Sequence, residues 1–337
     1  MNLHEPKQLV IEDANEDKDL FASNAREGGI TSRTVRNRNG SSLLDRQQRI
    51  RVLPQNGIAD PFGFLFKKGA TDSALVIGDS KKVLARMPSE SFQSCITSPP
   101  YWSLRNYHIE GQIGLESSLD DYIQNLVEVF EQVHRVVRGD GTLWLNIGDS
   151  YTSGGRTWRA PDKKNPIRAM NIRPPTPEGL KPKDLIGVPW RLAFALQAAG
   201  WHLRADLIWE KPNCQPESVK DRPTRSHEYV FLFSKSEHYF YDHTAVRGPN
   251  SRNLRTVWSI NTEAFREAHF ATFPPALVEP CIALSTCPGN LVLDPFVGSG
   301  TTGFVALKMD RRFIGVELNP NYVSIAERRL NAAVCRG

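Results

Sequence analysis

Cysteine is scarce in this chain: Cys95, Cys214, Cys281, Cys287 and Cys335 make five, an odd number without a CxxC pair. That spacing argues against a zinc site and against a disulfide framework, so no metal is expected. Long apolar runs are missing too. No stretch reaches the roughly 18 apolar residues that span a bilayer, which excludes a membrane protein of the helical kind. Met1 to Leu20 is polar and carries acids, so it is not a secretory signal, and a cytoplasmic location is expected. Charge of one sign is in modest excess, net +5 with a pI near 8.9, too little by itself to establish a nucleic-acid partner.

The distribution of that charge says more. Seven arginines lie from Arg26 to Arg51 against Glu27 and Asp45, and eight basic residues lie from Arg156 to Lys183 against Asp162 and Glu178. Basic clusters in loop-like sequence suit phosphate contact. For the first cluster a solvated, unstructured segment is an equally good reading. Residues 1–70 lack periodicity and are expected to form a flexible basic arm, with a short helix near Ser41 to Arg51.

From Ala74 onward short apolar runs alternate with helical stretches. Strands are expected at Ala74–Gly78, Phe92–Thr97, Thr142–Ile147, Trp201–Trp209, Tyr229–Phe233, Leu291–Leu293 and Phe313–Val316. Helices are expected at Ser80–Arg86, Leu119–Val137, Pro189–Ala199, Pro275–Ser285, Thr302–Lys308 and Pro320–Leu330. This alternation implies an α/β fold with a parallel-rich sheet covered on both faces, over residues 71–337. The Pro-, Gly- and Lys/Arg-rich stretch near 152–185 is too long for an idle loop, and a second insertion falls near 236–268.

Two segments carry chemistry. Gly298 and Gly300 open a helix after a short strand, and Glu317 closes the next strand 17 residues beyond Gly300. Glycines there admit a ligand to the backbone, and a carboxylate at that spacing suits ribose hydroxyls. The loop is not GxGxxG, and Asp294 beside it would repel a pyrophosphate while suiting a cationic methionine. S-adenosyl-L-methionine is therefore favoured over NAD. The other segment is Ser98-Pro99-Pro100-Tyr101, at the end of a strand where open α/β sheets bind ligands. The prolines remove N–H donors and leave carbonyl acceptors. The Ser98 hydroxyl and the Pro99 carbonyl would hold the N–H bonds of an aryl amine and expose its lone pair. Tyr101 would stack on an extruded base. A rigid turn is the plainer account of a Pro-Pro pair.

Thr97-Ser98-Pro99-Pro100-Tyr101-Trp102 resembles the SPPY motif of the DNA amino-methyltransferases of bacterial restriction–modification systems. Asp294 to Thr302, with Phe296, Gly298, Gly300, Thr301 and Thr302, resembles their AdoMet loop, and Gly315 to Asn319 their ribose-binding strand end. Ile77 to Ser80, with Asp79, resembles the segment that meets the cofactor adenine, and His269 to Pro274, with Thr272, Phe273 and Pro274, the motif over the methionine end. Trp209–Asn213 and Arg225–Tyr229 resemble segments near the base pocket, which implies DNA contacts for Lys211 and Arg225. The catalytic motif precedes the AdoMet loop, as in the circularly permuted β class. The strand ending at Asp79 must then lie beside the one bearing Glu317. The resemblance implies a Rossmann-like mixed seven-stranded sheet with basic DNA-recognition insertions. It also implies double-stranded DNA as substrate and a functional pairing with a restriction endonuclease. Ser at the first motif position points to cytosine N4, with adenine N6 as the alternative. Arg156, Arg159, Arg168 and Arg173 of the first insertion are candidates for base readout.

Rival readings divide on single features. Cytosine C5 methylation needs a Pro-Cys nucleophile, and Pro280-Cys281 falls inside an expected helix. A protein-glutamine methyltransferase would place its Asn-Pro-Pro-Tyr after the AdoMet loop. A dehydrogenase would carry the dinucleotide fingerprint. A DNA-binding regulator without catalysis would explain the basic patches but not the two-part site.

Overall fold

In a computed structural model the described residues are 50–54, 63, 65–67, 72–152, 174–247, 252–263 and 273–334. Short, mainly apolar runs, whose few polar side chains find partners inside the protein, become the central strands. These are β2 (Ser73–Ile77), β3 (Phe92–Thr97), β8 (Leu291–Asp294) and β9 (Arg312–Glu317), buried over nearly their whole length. β4 (Val137–Ile147), β6 (His227–Ser234) and β5 (His202–Glu210) extend the sheet, and β1 (Ile50–Pro54) and β7 (Val257–Ser259) close its edges. The order is β1-β2-β9-β8-β3-β4-β6-β5-β7. All neighbours pair parallel except β6, which runs antiparallel to both β4 and β5. β2 lies against β9, with Ala74 opposite Ile314 and Ile77 opposite Glu317, the adjacency that the permuted chain order requires.

The seven strands expected from sequence are the inner seven, and two short edge strands are added. β1 corrects the reading of residues 1–70 as an arm, because Ile50–Pro54 pairs in register with Ser73–Ile77. Leu65 is fully buried, its carbonyl accepting Arg312 of β9, and Phe66 meets Phe92 edge-on at 5.8 Å. The expected short helix near 41–51 ends in strand β1 at Ile50–Arg51, and its remainder, like Arg33, Arg36 and Arg38, lies outside the described residues.

Helices α1 (Ser80–Ala85), α2 (Leu119–Val136) and α3 (Val188–Ala198) cover one face, and α4 (Pro275–Ser285), α5 (Thr301–Lys308) and α6 (Pro320–Val334) the other. α2 shows the local logic. Ser118 accepts the Asp121 N–H at 3.0 Å as N-cap, Asp120 and Asp121 sit in the first turn and His134 and Arg135 in the last. Its apolar stripe, Tyr122, Leu126, Val129, Phe130 and Val133, is buried on the sheet. The first insertion is tied at its base: Thr152 N–H donates to Asp184 O at 2.9 Å and Ile186 N–H to Ser150 O at 2.9 Å. Among the described residues no helix is long and apolar enough to cross a membrane.

Candidate active site

A cavity of about 690 Å³ opens along the carboxyl ends of β2, β9, β8, β3, β4 and β5. Both halves of the expected site line it. Ser98, Pro99, Pro100 and Tyr101 share it with Asp79, Phe273, Phe296, Gly298, Thr301, Glu317 and Asn319, and Lys211 and Arg225 stand on its far wall. Pro274, Asp294, Gly300 and Thr302 do not line it. Pro274 precedes α4 as its N-cap. Thr302 turns inward and donates to Ile96 O at 3.1 Å. Gly300 caps α5 at φ 80°, where an added Cβ would lie 2.9 Å from Leu330 and 3.0 Å from Ala326. Thr272, Arg156, Arg159, Arg168 and Arg173 lie outside the described residues.

Asp294 is corrected in role. It is completely buried rather than open to a ligand. Its Oδ1 accepts Thr97 Oγ1 at 2.6 Å and Phe296 N–H at 3.0 Å, while Oδ2 has no partner among the described residues. Burial pushes this carboxyl up to about 6 despite those bonds. It ties Thr97, the residue before Ser98, to the turn that begins the glycine loop.

Glu317 ends β9. Its carboxylate accepts Gly298 N–H at 2.8 Å and Asn319 N–H at 2.9 Å, and burial pushes it up to about 7. Gly298 holds φ 53° to turn that N–H inward. Asp79 lines the cavity and caps α1, accepting Lys82 N–H at 2.9 Å. Tyr107 and Tyr322, missed by the sequence reading, meet edge to face at 5.8 Å beside Glu317. Burial raises both phenols, and the Glu317 charge adds to this.

On the other side, the Pro100 carbonyl is taken by the Tyr122 hydroxyl at 2.8 Å. Among the described residues the Pro99 carbonyl accepts no bond. Tyr101 donates to Glu228 Oε2 at 2.7 Å, and burial and the Glu228 charge push its phenol well up, so it stays a donor. Asp149 binds the first N–H groups of α3, from Gly187 at 2.9 Å and Val188 at 2.9 Å, and lies 3.6 Å from Arg225. Arg222 stacks on Tyr151 at 3.8 Å and Arg225 lies 5.8 Å from the same ring. Cys281 is inside α4, buried, its thiol raised by burial and turned to Leu277 O at 3.3 Å. Cys214, by contrast, stands on the cavity wall.

A doubly covered, permuted α/β sheet whose strand ends bring a nucleoside-type carboxylate and an acceptor-rich Pro-Pro turn into one cavity defines an AdoMet-dependent methyltransferase. The DNA methylase family matches residues 92–328, and the chain belongs to that family. It is 61% identical over 266 residues to the type II methyltransferase M.Cfr9I of Citrobacter freundii, covering 78% of this chain and 88% of that protein. It is 58% identical over 262 residues to M.SmaI of Serratia marcescens, covering 76% and 90%. Among solved structures, a putative DNA modification methylase of Thermus thermophilus complexed with S-adenosyl-L-methionine superposes with TM-score 0.57 at 26% identity, over 77% of this chain and 93% of that one. The PvuII DNA methyltransferase, described as cytosine-N4-specific, shares the fold at TM-score 0.58 and 24% identity, over 78% and 91%. S-adenosyl-L-methionine is thus the cofactor, and the residues present fit it. Glu317 would offer a fixed acceptor for ribose hydroxyls, Gly298 a close backbone, and Phe273 and Phe296 apolar walls.

Proposed function

We propose that this enzyme methylates the exocyclic N4 amino group of cytosine in double-stranded DNA at a specific site, in the cytoplasm, as the protective half of a type II restriction–modification pair. The observation that carries the reading is the shared cavity, which Ser98 and Pro99 line together with Glu317. Bound S-adenosyl-L-methionine supplies a methyl group activated by a sulfonium charge. Asp79, Phe273, Phe296, Gly298, Thr301, Glu317 and Asn319 hold the cofactor, and Asp294, through Thr97, fixes Ser98 relative to it. Ser98 and Pro99 accept the two amino N–H bonds, which draws the nitrogen toward a tetrahedral geometry and frees its lone pair for the methyl. Tyr101 lies against the extruded base. Arg225 and Lys211 stand on the DNA-side wall, Lys211 with its ammonium held by Glu228, and Arg156, Arg159, Arg168 and Arg173 read the bases. Ser at the head of the motif and the type II names of its relatives support the base and the biological setting.

Ser98→Ala should keep cofactor and DNA affinity and slow methyl transfer roughly 10²–10³-fold, the cost of one preorganised hydrogen bond acting on the transition state. Mass spectrometry of nucleosides from methylated DNA should show N4-methylcytosine. N6-methyladenine would overturn the base and keep the chemistry. 5-Methylcytosine would sink both.

A further inference from the structure

Four polar side chains at the base-side wall come from four neighbouring strands. Tyr101 follows β3, Asn146 lies near the end of β4, Glu228 near the start of β6, and Lys211 directly follows β5, and β3-β4-β6-β5 are consecutive in the sheet. Because β6 alone runs antiparallel, its first residues reach the edge where its neighbours end. Glu228 Oε2 accepts both the Tyr101 hydroxyl at 2.7 Å and Asn146 Nδ2 at 3.2 Å, and Oε1 takes the Lys211 ammonium. Asn146 is itself anchored, donating to Tyr229 O at 3.1 Å. The Lys211 ammonium also sits 4.2 Å from the Trp209 ring centroid. Gly148 packs closely on one edge of the Tyr101 ring: a Cβ there would lie 2.8 Å from Tyr101 Cε2 and 3.3 Å from Glu228 Cδ.

The Lys211 and Glu228 side chains are only 16% and 17% exposed. A charge pair that far from water adds little net stability over an apolar pair of the same size. Its place is better explained by what it holds. We infer that Glu228 is a positioning residue for methyl transfer: pinned by Lys211 and Asn146, it holds the Tyr101 hydroxyl and so sets the ring on which the target base is laid. Tyr101 is the element that touches the substrate, and Glu228 acts through it. The inference rests on the reading of this cavity as the base pocket, but not on which base is methylated.

The test uses the full-length enzyme and a duplex carrying its mapped site. Single-turnover methylation is measured, with S-adenosylhomocysteine affinity alongside. Base extrusion is followed by a fluorescent base analogue at the target position. Glu228→Ala should lower the methylation rate about 10- to 100-fold, as misplacement of a contact group does. The extrusion signal should fall with it, and cofactor-product affinity should stay within about twofold. Glu228→Gln, which keeps an oxygen for the Tyr101 hydroxyl, should recover part of the rate. Tyr101→Phe keeps the ring and removes only the hydroxyl. It should match Glu228→Ala, and the double variant should be no slower than either single one. Multiplying effects in the double variant would overturn the inference. So would loss of cofactor affinity and melting temperature in Glu228→Ala together with an unimpaired Tyr101→Phe. Ser98→Ala separates the two ideas: full activity there sinks the pocket itself. An inactive Ser98→Ala beside unimpaired Glu228→Ala and Tyr101→Phe sinks only the role of Glu228.

Discussion

A carboxylate held by two backbone N–H groups is ordinarily more acidic than in water, yet Glu317 is pushed up to about 7 because burial outweighs those bonds. Only its ionised form is a full acceptor for ribose hydroxyls. Affinity for S-adenosylhomocysteine should therefore fall as pH drops through about 7, and calorimetry on both sides of that value checks it. Glu317→Ala should cost about 1.5–3 kcal/mol of binding and flatten the pH dependence. Stability of the ligand-free protein has the opposite sign. A raised folded-state value gives stability that is present below the ordinary carboxylate range. That stability is lost as pH rises through about 6 for Asp294 and about 7 for Glu317. Melting temperature against pH should decline over that window, and a flat profile would refute the burial argument. Among the thiols, Cys214 alone of the described cysteines lines the cavity. An amino group attacks the methyl directly, so Cys214→Ser, and a variant lacking all five cysteines, should stay active without any covalent DNA adduct if they fold.

At the level of elements, the site depends on turns that leave no room for alternatives. A Cβ at Gly315 on β9 would fall on the Val297 side chain and 2.7 Å from the Phe313 ring. Gly315→Ala should cost about 1–3 kcal/mol of stability by overpacking. It should also weaken cofactor affinity, because Val297 leads into the Gly298 turn. Chemical denaturation and calorimetry report the two effects separately. The cap of α2 gives the contrasting case, since it lies in the helix and away from the reacting atoms. Ser118→Ala should cost about 1 kcal/mol of stability and leave methyl-transfer kinetics unchanged. The helices and central strands were legible in the sequence to within a residue or two, except that β4 starts five residues early and α6 ends four late. Their apolar runs are buried on one or both faces and carry a full periodic signal. β1 and β7 were not, because edge strands of five and three residues, mostly half-buried or exposed, leave too few apolar positions to form a pattern.

For the molecule as a whole, the chain divides into two units, of which the second, Arg46 to Gly337, carries the sheet and the cavity. Removing residues 1–45 should leave the melting temperature unchanged, whereas a deletion through residue 60 removes β1 and should lower it. If Arg33, Arg36 and Arg38 touch phosphates, replacing them should weaken DNA binding uniformly and flatten its salt dependence. An unchanged salt slope would leave the arm without a DNA role. The two motifs, their order and the adjacency of β2 and β9 could be read from the chain, because each is a local pattern or follows from the order of the motifs along it. The pairing of Ser98 with Glu317 in one cavity was also implied, since both close strands of one parallel sheet. What the chain could not show is which polar side chains face that cavity. Asp294, at the head of the glycine loop, is sealed behind it by Thr97 and the Phe296 amide. Glu228, 127 residues from Tyr101, becomes its partner only because β6 inserts antiparallel between β4 and β5. Periodicity specifies which face of a strand is apolar, but strand order and direction are set by the packing of the whole sheet, and those alone bring distant polar ends together.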